Sequence, residues 1–201
     1  MLNMSQDEGI KLIDSAKQLG INIVDAHHRY GNCEFILGQY DNIQKMTKIS
    51  AYSYPNIGTH IQSSQELLKH IDIMWVSDLD NKELYSAGED IYKNIYKDFP
   101  VLGINSESPE LVMKFHFDHP ECNYYMIPLF IGNTNMVSVC KYLVNRGKNV
   151  FTIKPFNDGL LLNDYSIEDC LRFVKSVNPS VMIFGTKQIK HLEEVVEIWK
   201  R

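Results

Sequence analysis

Two side chains suited to proton chemistry lie five residues apart near the start of the chain. Asp25 ends a short apolar segment, Ile21–Val24, and Tyr30 follows it within the sequence Asp-Ala-His-His-Arg-Tyr-Gly. Residues at the ends of buried strands in a parallel α/β fold face the cleft in which such folds carry out their chemistry. A carboxylate and a phenol placed there predict a shared acid–base pocket.

The elements that must position these residues alternate regularly along the chain. Seven short apolar segments have the character of parallel strands buried on both faces: Ile21–Asp25, Lys45–Ser50, Ile71–Ser77, Pro100–Asn105, Tyr124–Leu129, Asn149–Pro155 and Val181–Gly185. Helical patterns lie between most of them, and several begin at N-cap signals: Ser5-x-x-Glu8, Ser63-x-x-Glu66, Ser108-Pro109-Glu110 and Ser166-x-x-Asp169. Repeated βα units predict a parallel sheet with right-handed crossovers.

Length and composition predict one globular domain spanning residues 1–201. Hydrophobic residues make up 44% of the chain and the formal net charge is -5, with no basic run, so a nucleic-acid partner is not expected. The longest apolar runs are strand-sized, which argues against a membrane partner. Met1–Glu8 lacks the features of a secretory signal, so we expect a cytoplasmic protein. The four cysteines have no CxxC spacing, and no metal site is expected.

The stretch Asp25–Gly38 resembles the signature of the aldo-keto reductases, Asp-Thr-Ala-x-x-Tyr-Gly-x-Ser-Glu-x-x-Leu-Gly. The matching residues, all in register, are Asp25, Tyr30, Gly31, Glu34, Leu37 and Gly38. Ala26, His27 and Cys33 depart from the signature.

The resemblance extends through almost the whole chain. Segments similar to later family motifs follow in the same order: Ile71–Val76, Leu102–Ser106, Pro155–Leu161 and Ile183–Lys187. The resemblance implies a shortened TIM-barrel-like (β/α) fold with about seven parallel strands. The chain begins with a helix, Gln6–Leu19, where family members have a further strand, so we expect the first barrel strand to be missing. An open doubly wound sheet is the alternative.

Family members reduce carbonyls with NADPH through a Tyr, Lys, Asp and His tetrad. By motif match, Tyr30 would be the general acid, Lys48 the cation that lowers its pKa, and Asp25 the partner that holds the lysine. The family His falls on Ser77, which can donate a hydrogen bond but cannot act as an imidazole. His27 and His28, which lie inside the signature, could compensate, although a surface or packing role is favoured for both.

The cofactor-binding residues of the family are only partly matched. The Ser-Asn pair that contacts the nicotinamide amide appears reversed, as Asn105-Ser106. Met126 replaces the family Gln, and Ile153, followed by Lys154, replaces the stacking aromatic residue. The segment Gly185-Thr186-Lys187 resembles the site of the 2′-phosphate, with support from the start of the last helix. We therefore expect NADPH binding to be weak or absent.

The sequence is compatible with three functions. The first is an enzyme of the aldo-keto reductase type acting on a small carbonyl or sugar-like substrate. The second is a non-redox lyase or isomerase that uses the same Tyr and Lys pocket, and the third is a non-catalytic barrel that binds a partner chain. Because a sheet without its first strand leaves two edges to be closed or covered, we expect either a homodimer or partner complex, or a closed monomer.

Overall fold

The computed structural model describes residues 4–201 of the chain. Its seven strands form one parallel sheet, in which each strand pairs with the next along the chain. Their bounds are β1 Ile23–Asp25, β2 Gln44–Ser50, β3 Ile73–Ser77, β4 Val101–Asn105, β5 Tyr124–Pro128, β6 Asn149–Ile153 and β7 Val181–Met182. All seven predicted strands are therefore present, and β7 is the most shortened of them. The part of the predicted N-terminal segment before residue 4 lies outside the described residues.

Helices connect successive strands, and one further helix precedes β1. Their bounds are α1 Gln6–Gln18, α2 Cys33–Leu37, α3 Ile57–Leu68, α4 Lys82–Ile95, α5 Pro109–Asp118, α6 Thr134–Val144, α7 Ile167–Lys175 and α8 Ile189–Lys200. Ser5 and Ser166 form the predicted capping boxes, and Ser108 caps α5. The N-cap predicted at Ser63 is wrong, because the N-cap of α3 is Asn56, seven residues earlier.

The sheet curls around an apolar interior. Its centre is formed by Met46, Ile73, Trp75, Met126 and Phe151. Side chains of both the first and the last strand pack against this same cluster, which requires the sheet to curve back on itself. The Trp75 ring lies against Gly103 of β4, where a Cβ atom would come within 2.5 Å of the indole. The centre of the curled sheet is thus filled with side chains, as in a barrel.

The curled sheet is not closed by strand pairing. Within residues 4–201, no backbone pairing joins β1 to β7. The outer side of this gap is covered by α1 and α8, which pack together through Leu12, Ala16, Leu192 and Val196. Lys200 also donates a hydrogen bond to the Leu19 carbonyl at 2.8 Å. The missing first strand is therefore observed as an opening in the sheet beneath a continuous layer of helices, and the oligomeric state stays a prediction.

Two lysines of β2 point to opposite sides of the sheet. Lys45 is fully buried on the helix side and donates to the Leu68 carbonyl at 2.8 Å, so it caps the end of α3. Burial lowers the pKa of Lys45. Lys48, three residues later, belongs to the inner face because strand side chains alternate.

Among the helices of residues 4–201, none combines the length and hydrophobicity needed to cross a bilayer.

Candidate active site

A buried ion pair lies at the carboxyl end of the first two strands. Lys48 of β2 donates a hydrogen bond to Oδ2 of Asp25, the last residue of β1, and contacts the Ala26 carbonyl at 3.4 Å. The two side chains are only 6% and 13% exposed. Burial raises the pKa of Asp25, against the opposing effect of the Lys48 ammonium. The second oxygen, Oδ1, is enclosed and has no hydrogen-bond partner within residues 4–201.

Tyr30 lies beside this ion pair. The Lys48 ammonium is 5.5 Å from the centroid of the Tyr30 ring, a cation–π contact. Among the described residues, no direct hydrogen bond joins Lys48 to the Tyr30 hydroxyl. Contrary to the lowering expected from Lys48, burial and the nearby Asp25 carboxylate raise the pKa of Tyr30 to about 12. The phenol therefore keeps its proton at neutral pH and serves first as a hydrogen-bond donor.

Three histidines line the same region as a stack of rings. The rings of His27 and His28 are 4.2 Å apart between centroids, and those of His28 and His60 are 4.9 Å apart. The His27 ring is 5.3 Å from that of Tyr30. Burial and nearby positive charges lower the pKa of His27 to about 3, and burial also lowers the pKa of His28. The His27 ring is therefore uncharged at neutral pH. The sequence showed two members of the stack, but only the fold adds His60.

A second polar group, which no motif in the sequence predicted, lies at the ends of β2 and β3. Ser50 donates a hydrogen bond to Asp78, and Arg29 contacts both residues, at 3.0 Å to Ser50 Oγ and 3.6 Å to Asp78 Oδ2. The Arg29 guanidinium also lies 5.8 Å from the centroid of the exposed Tyr52 ring. Ser50 and Asp78 lie at successive strand ends, but no spacing in the sequence connects Arg29 with them.

Ser77, which occupies the position of the family His, is buried at the end of β3. Its hydroxyl is 3.4 Å from the Ile49 carbonyl oxygen and 3.5 Å from Asp78 Oδ2, both at the long limit of hydrogen bonding. The structure thus places Ser77 beside the Ser50–Asp78 contact. Its role in chemistry stays a prediction.

Much of the stretch Asp25–Gly38 supports the fold. Glu34 is buried and accepts hydrogen bonds from Thr47 at 2.5 Å and from Ser64 at 2.9 Å, which ties α2 to β2 and α3. A Cβ atom at Gly38 would lie 1.9 Å from the Leu67 carbonyl oxygen. The acidic residue and the final glycine of the stretch are therefore required for packing.

The residues predicted to hold the nicotinamide are largely engaged within the protein. Asn105 donates its amide to the Met126 carbonyl at 3.1 Å. The Ser106 hydroxyl is buried, donates to the Leu79 carbonyl at 3.1 Å and accepts from the Ser108 amide at 3.1 Å. Ser106 therefore stabilises its own loop, and Asn105 remains the better placed of the two.

Lys154 is also paired within the protein. Its ammonium lies 2.6 Å from Glu107 and 3.8 Å from Asp158. Burial acts to lower the pKa of Lys154, but the hydrogen bond to Glu107 outweighs it, and the net pKa is raised. The pair links the end of β6 to the loop after β4, so the ammonium is not free for a cofactor unless Glu107 releases it.

The segment Gly185–Lys187 lies in the loop before α8. Thr186 accepts a hydrogen bond from the Gln188 amide at 3.1 Å and shapes this loop. Lys187 is exposed and lines a cavity of about 460 Å³ between the starts of α1 and α8, together with Lys11 and Lys190. Of the predicted cofactor residues, those at the phosphate end are the ones that remain accessible.

No group of three or more His, Cys, Asp or Glu side chains within residues 4–201 is arranged to hold a metal ion. The candidate site is therefore built from an ion pair, a phenol, imidazoles and hydroxyl groups, at the edge where parallel strands end.

Comparison with solved structures connects this geometry to a known fold. AKR11C1, an aldo-keto reductase from Bacillus halodurans, superposes with a TM-score of 0.78 at 16% identity, covering 99% of this chain and 83% of the other. An aldo-keto reductase of the silkworm, Bombyx mori, gives 0.69 at 12% identity, with coverages of 97% and 74%. This is the fold of the aldo-keto reductases. The predicted shortened barrel of this type, with seven parallel strands, is thus confirmed.

The similarity is visible in structure and not in overall sequence. No protein-family model matches the chain, and a search of curated protein sequences found no match. At identities of 12–16%, the aldo-keto reductase fold is shown, while the chemistry of this chain must be argued from its own residues.

Proposed function

We propose that this protein is an enzyme of the aldo-keto reductase type that reduces a small carbonyl or sugar-like substrate, with Tyr30 as the proton donor. The observation that supports this most is the buried Asp25–Lys48 ion pair next to the Tyr30 ring. Burying such a pair has a desolvation cost that an apolar pair would avoid. Its position at the carboxyl end of the sheet, where this fold class carries its active sites, favours a catalytic role.

Three residues of the site have separate roles in proton transfer. Tyr30 hydrogen-bonds to the substrate oxygen and transfers its proton as negative charge develops there. An alkoxide is more basic than a phenolate whose conjugate acid has a pKa of about 12, so this transfer is downhill. Lys48, over the ring face, stabilises the phenolate that remains until solvent returns the proton. Asp25 keeps the ammonium of Lys48 in place.

The proposed reaction also needs a cofactor, and fewer side chains are free to bind it. NADPH would supply the hydride in this reaction. Asn105 at the end of β4 and Lys187, Thr186 and Gly185 in the last loop are the residues that would hold its two ends. Because Ser106 and Lys154 are bonded within the protein, we propose weak binding that depends mainly on the phosphate end.

The test is NADPH oxidation in the presence of a panel of aldehydes that includes 4-nitrobenzaldehyde. We expect slow but measurable turnover, and a loss of about 100-fold or more in Tyr30→Phe. Tyr52→Phe, at an exposed tyrosine near the site, is the matched control and should retain activity. Absence of turnover with every aldehyde, or full activity of Tyr30→Phe, would contradict the proposal.

Two results of this test would favour the other functions. Substrate proton exchange without NADPH, lost in Tyr30→Phe, would indicate a non-redox lyase or isomerase. Absence of any Tyr30-dependent chemistry would favour a barrel that binds a partner chain. A small-molecule substrate and a cytoplasmic location belong to the proposal and stay predictions.

A further inference from the structure

The proposed mechanism assigns no role to His27. It lies two residues after Asp25, at the mouth of the site, and its side chain is only 5% exposed. The Nδ1 atom accepts a hydrogen bond from the Arg29 backbone amide at 2.9 Å. In a neutral imidazole, the nitrogen that accepts a hydrogen bond carries no proton, so the proton of His27 is on Nε2.

The surroundings of His27 keep the ring neutral. The groups that face it are His28, Lys48, Arg29 and His60, and with burial they hold the pKa of the imidazole at about 3. His27 is therefore not a proton source at neutral pH. It is a fixed hydrogen-bond donor of known orientation.

The Nε2 atom of His27 has no hydrogen-bond acceptor among the residues that the structure describes. No hydrogen bond from it is formed within residues 4–201, and it is not among the fully enclosed polar atoms without a partner, unlike Asp25 Oδ1 and His28 Nδ1. The Tyr30 ring lies 5.3 Å away. The His27 ring, with an Nε2–H group that is not fully enclosed, and the ring of Tyr30 thus lie close together in one short loop.

We propose that His27 donates a hydrogen bond from Nε2 to the same substrate oxygen that Tyr30 protonates, an inference that rests on the proposed function. The two donors select an acceptor oxygen, such as that of an aldehyde or ketone. Because the hydrogen bond strengthens as negative charge develops on that oxygen, His27 stabilises the transition state more than the bound substrate. The resemblance places a His at Ser77, and here the donor comes from the loop after β1.

Two substitutions distinguish a role of His27 as hydrogen-bond donor to the substrate from a purely structural role. In His27→Asn, the short side chain can still accept the Arg29 amide hydrogen bond but does not reach the position of Nε2. In His27→Gln, the longer side chain places an N–H donor near the position of Nε2 and sacrifices the contact to Arg29. We expect His27→Asn to lose about 100-fold in kcat for aldehyde reduction and His27→Gln to retain most of it. The reverse order would overturn the proposal.

A binding measurement makes the test independent of turnover. In the protein labelled with ¹⁵N at histidine, 4-nitrobenzaldehyde added without NADPH should shift the Nε2 resonance of His27, and the spectrum should report the Nε2–H tautomer. A shift without any reductase activity would support the inference and refute the proposed function. Activity without the shift, or no shift and no activity, would overturn the inference.

Discussion

The two halves of the sheet's carboxyl end differ in how their polar groups are satisfied. In the substrate half, formed by the ends of β1 to β3, Asp25 and His28 each keep an enclosed atom without a partner within residues 4–201. In the cofactor half, formed by the ends of β4 to β7, Asn105, Ser106 and Lys154 are bonded within the protein. An unsatisfied buried group lowers stability unless a ligand completes it. Under the proposed function, the difference means that more polar atoms are left for a ligand in the substrate half than in the cofactor half.

The largest expected contrast is between the lysines of the two halves. Lys48→Met leaves Asp25 buried without its counter-charge and should lower the free energy of unfolding by about 3–5 kcal/mol. Lys154→Met breaks a half-exposed ion pair and should cost less than about 1 kcal/mol. Urea denaturation of both variants measures the contrast, and adding Asp25→Asn to Lys48→Met should recover part of the loss. Similar losses for the two single variants would contradict the comparison.

Acid should destabilise the substrate half through His27. Its pKa is about 3 in the folded protein and about 6.5 when exposed, so the unfolded chain binds the proton first. The stabilising contribution is complete above pH 6.5 and is lost as the pH falls towards 3, by about 2–4 kcal/mol. The raised pKa of Asp25 acts in the opposite direction.

The difference in unfolding free energy between the wild type and His27→Phe isolates this effect. Measured by urea denaturation from pH 7 to pH 4, the stability of the wild type should fall more steeply than that of the variant. Parallel curves would show that His27 is solvated and readily protonated in the folded state.

The stability of the contact between α2 and α3, which supports the substrate half, should be sensitive to a single added methyl group. Gly38→Ala places a Cβ atom 1.9 Å from the Leu67 carbonyl oxygen, and forcing α2 and α3 apart should cost about 1–3 kcal/mol or more. Gly58→Ala, inside α3 with open space around it, is the control and should stabilise slightly. Thermal unfolding of the two variants checks this, and a neutral Gly38→Ala would refute the packing role.

The smallest effect should be found in the cofactor half. We expect the wild type to bind NADPH with a Kd above the micromolar range, since the polar contacts at the nicotinamide end are missing. Lys187→Ala should weaken binding about five- to tenfold, or about 1 kcal/mol. Lys154→Ala should change it less than twofold. Calorimetry measures these affinities for NADPH. A sub-micromolar Kd in the wild type would contradict the prediction that the cofactor half binds NADPH weakly.

The sequence predicted the strands and the central pair well, because their signals are local. Each strand is a short apolar run, and Asp25 and Lys48 each occur near the end of such a run. The alternation of side chains along β2 then separates Lys48 from Lys45. The Ser63 cap was wrong because a local cap signal also occurs inside helices, and only packing fixes where α3 begins.

Other contacts depend on loops that bring distant residues together. Arg29, Ser50 and Asp78 come from three separate segments, and no spacing in the sequence connects them. The same holds for His60 beside His28, and for the pairing of Lys154 with Glu107. Loop conformation follows from packing of the whole domain, so these contacts could not be predicted from local patterns.

The sequence by itself determined the order of elements, the parallel sheet and the resemblance in Asp25–Gly38, because periodicity and turn chemistry act over a few residues. Tertiary structure alone decided three further properties. It left the sheet open between β1 and β7, placed the Lys48 ammonium over the ring of Tyr30, and fixed the His27 ring through the hydrogen bond from the Arg29 amide to Nδ1. Each of these depends on burial and on the relative position of separate segments, which set the dielectric surroundings and the hydrogen-bond partners of a side chain.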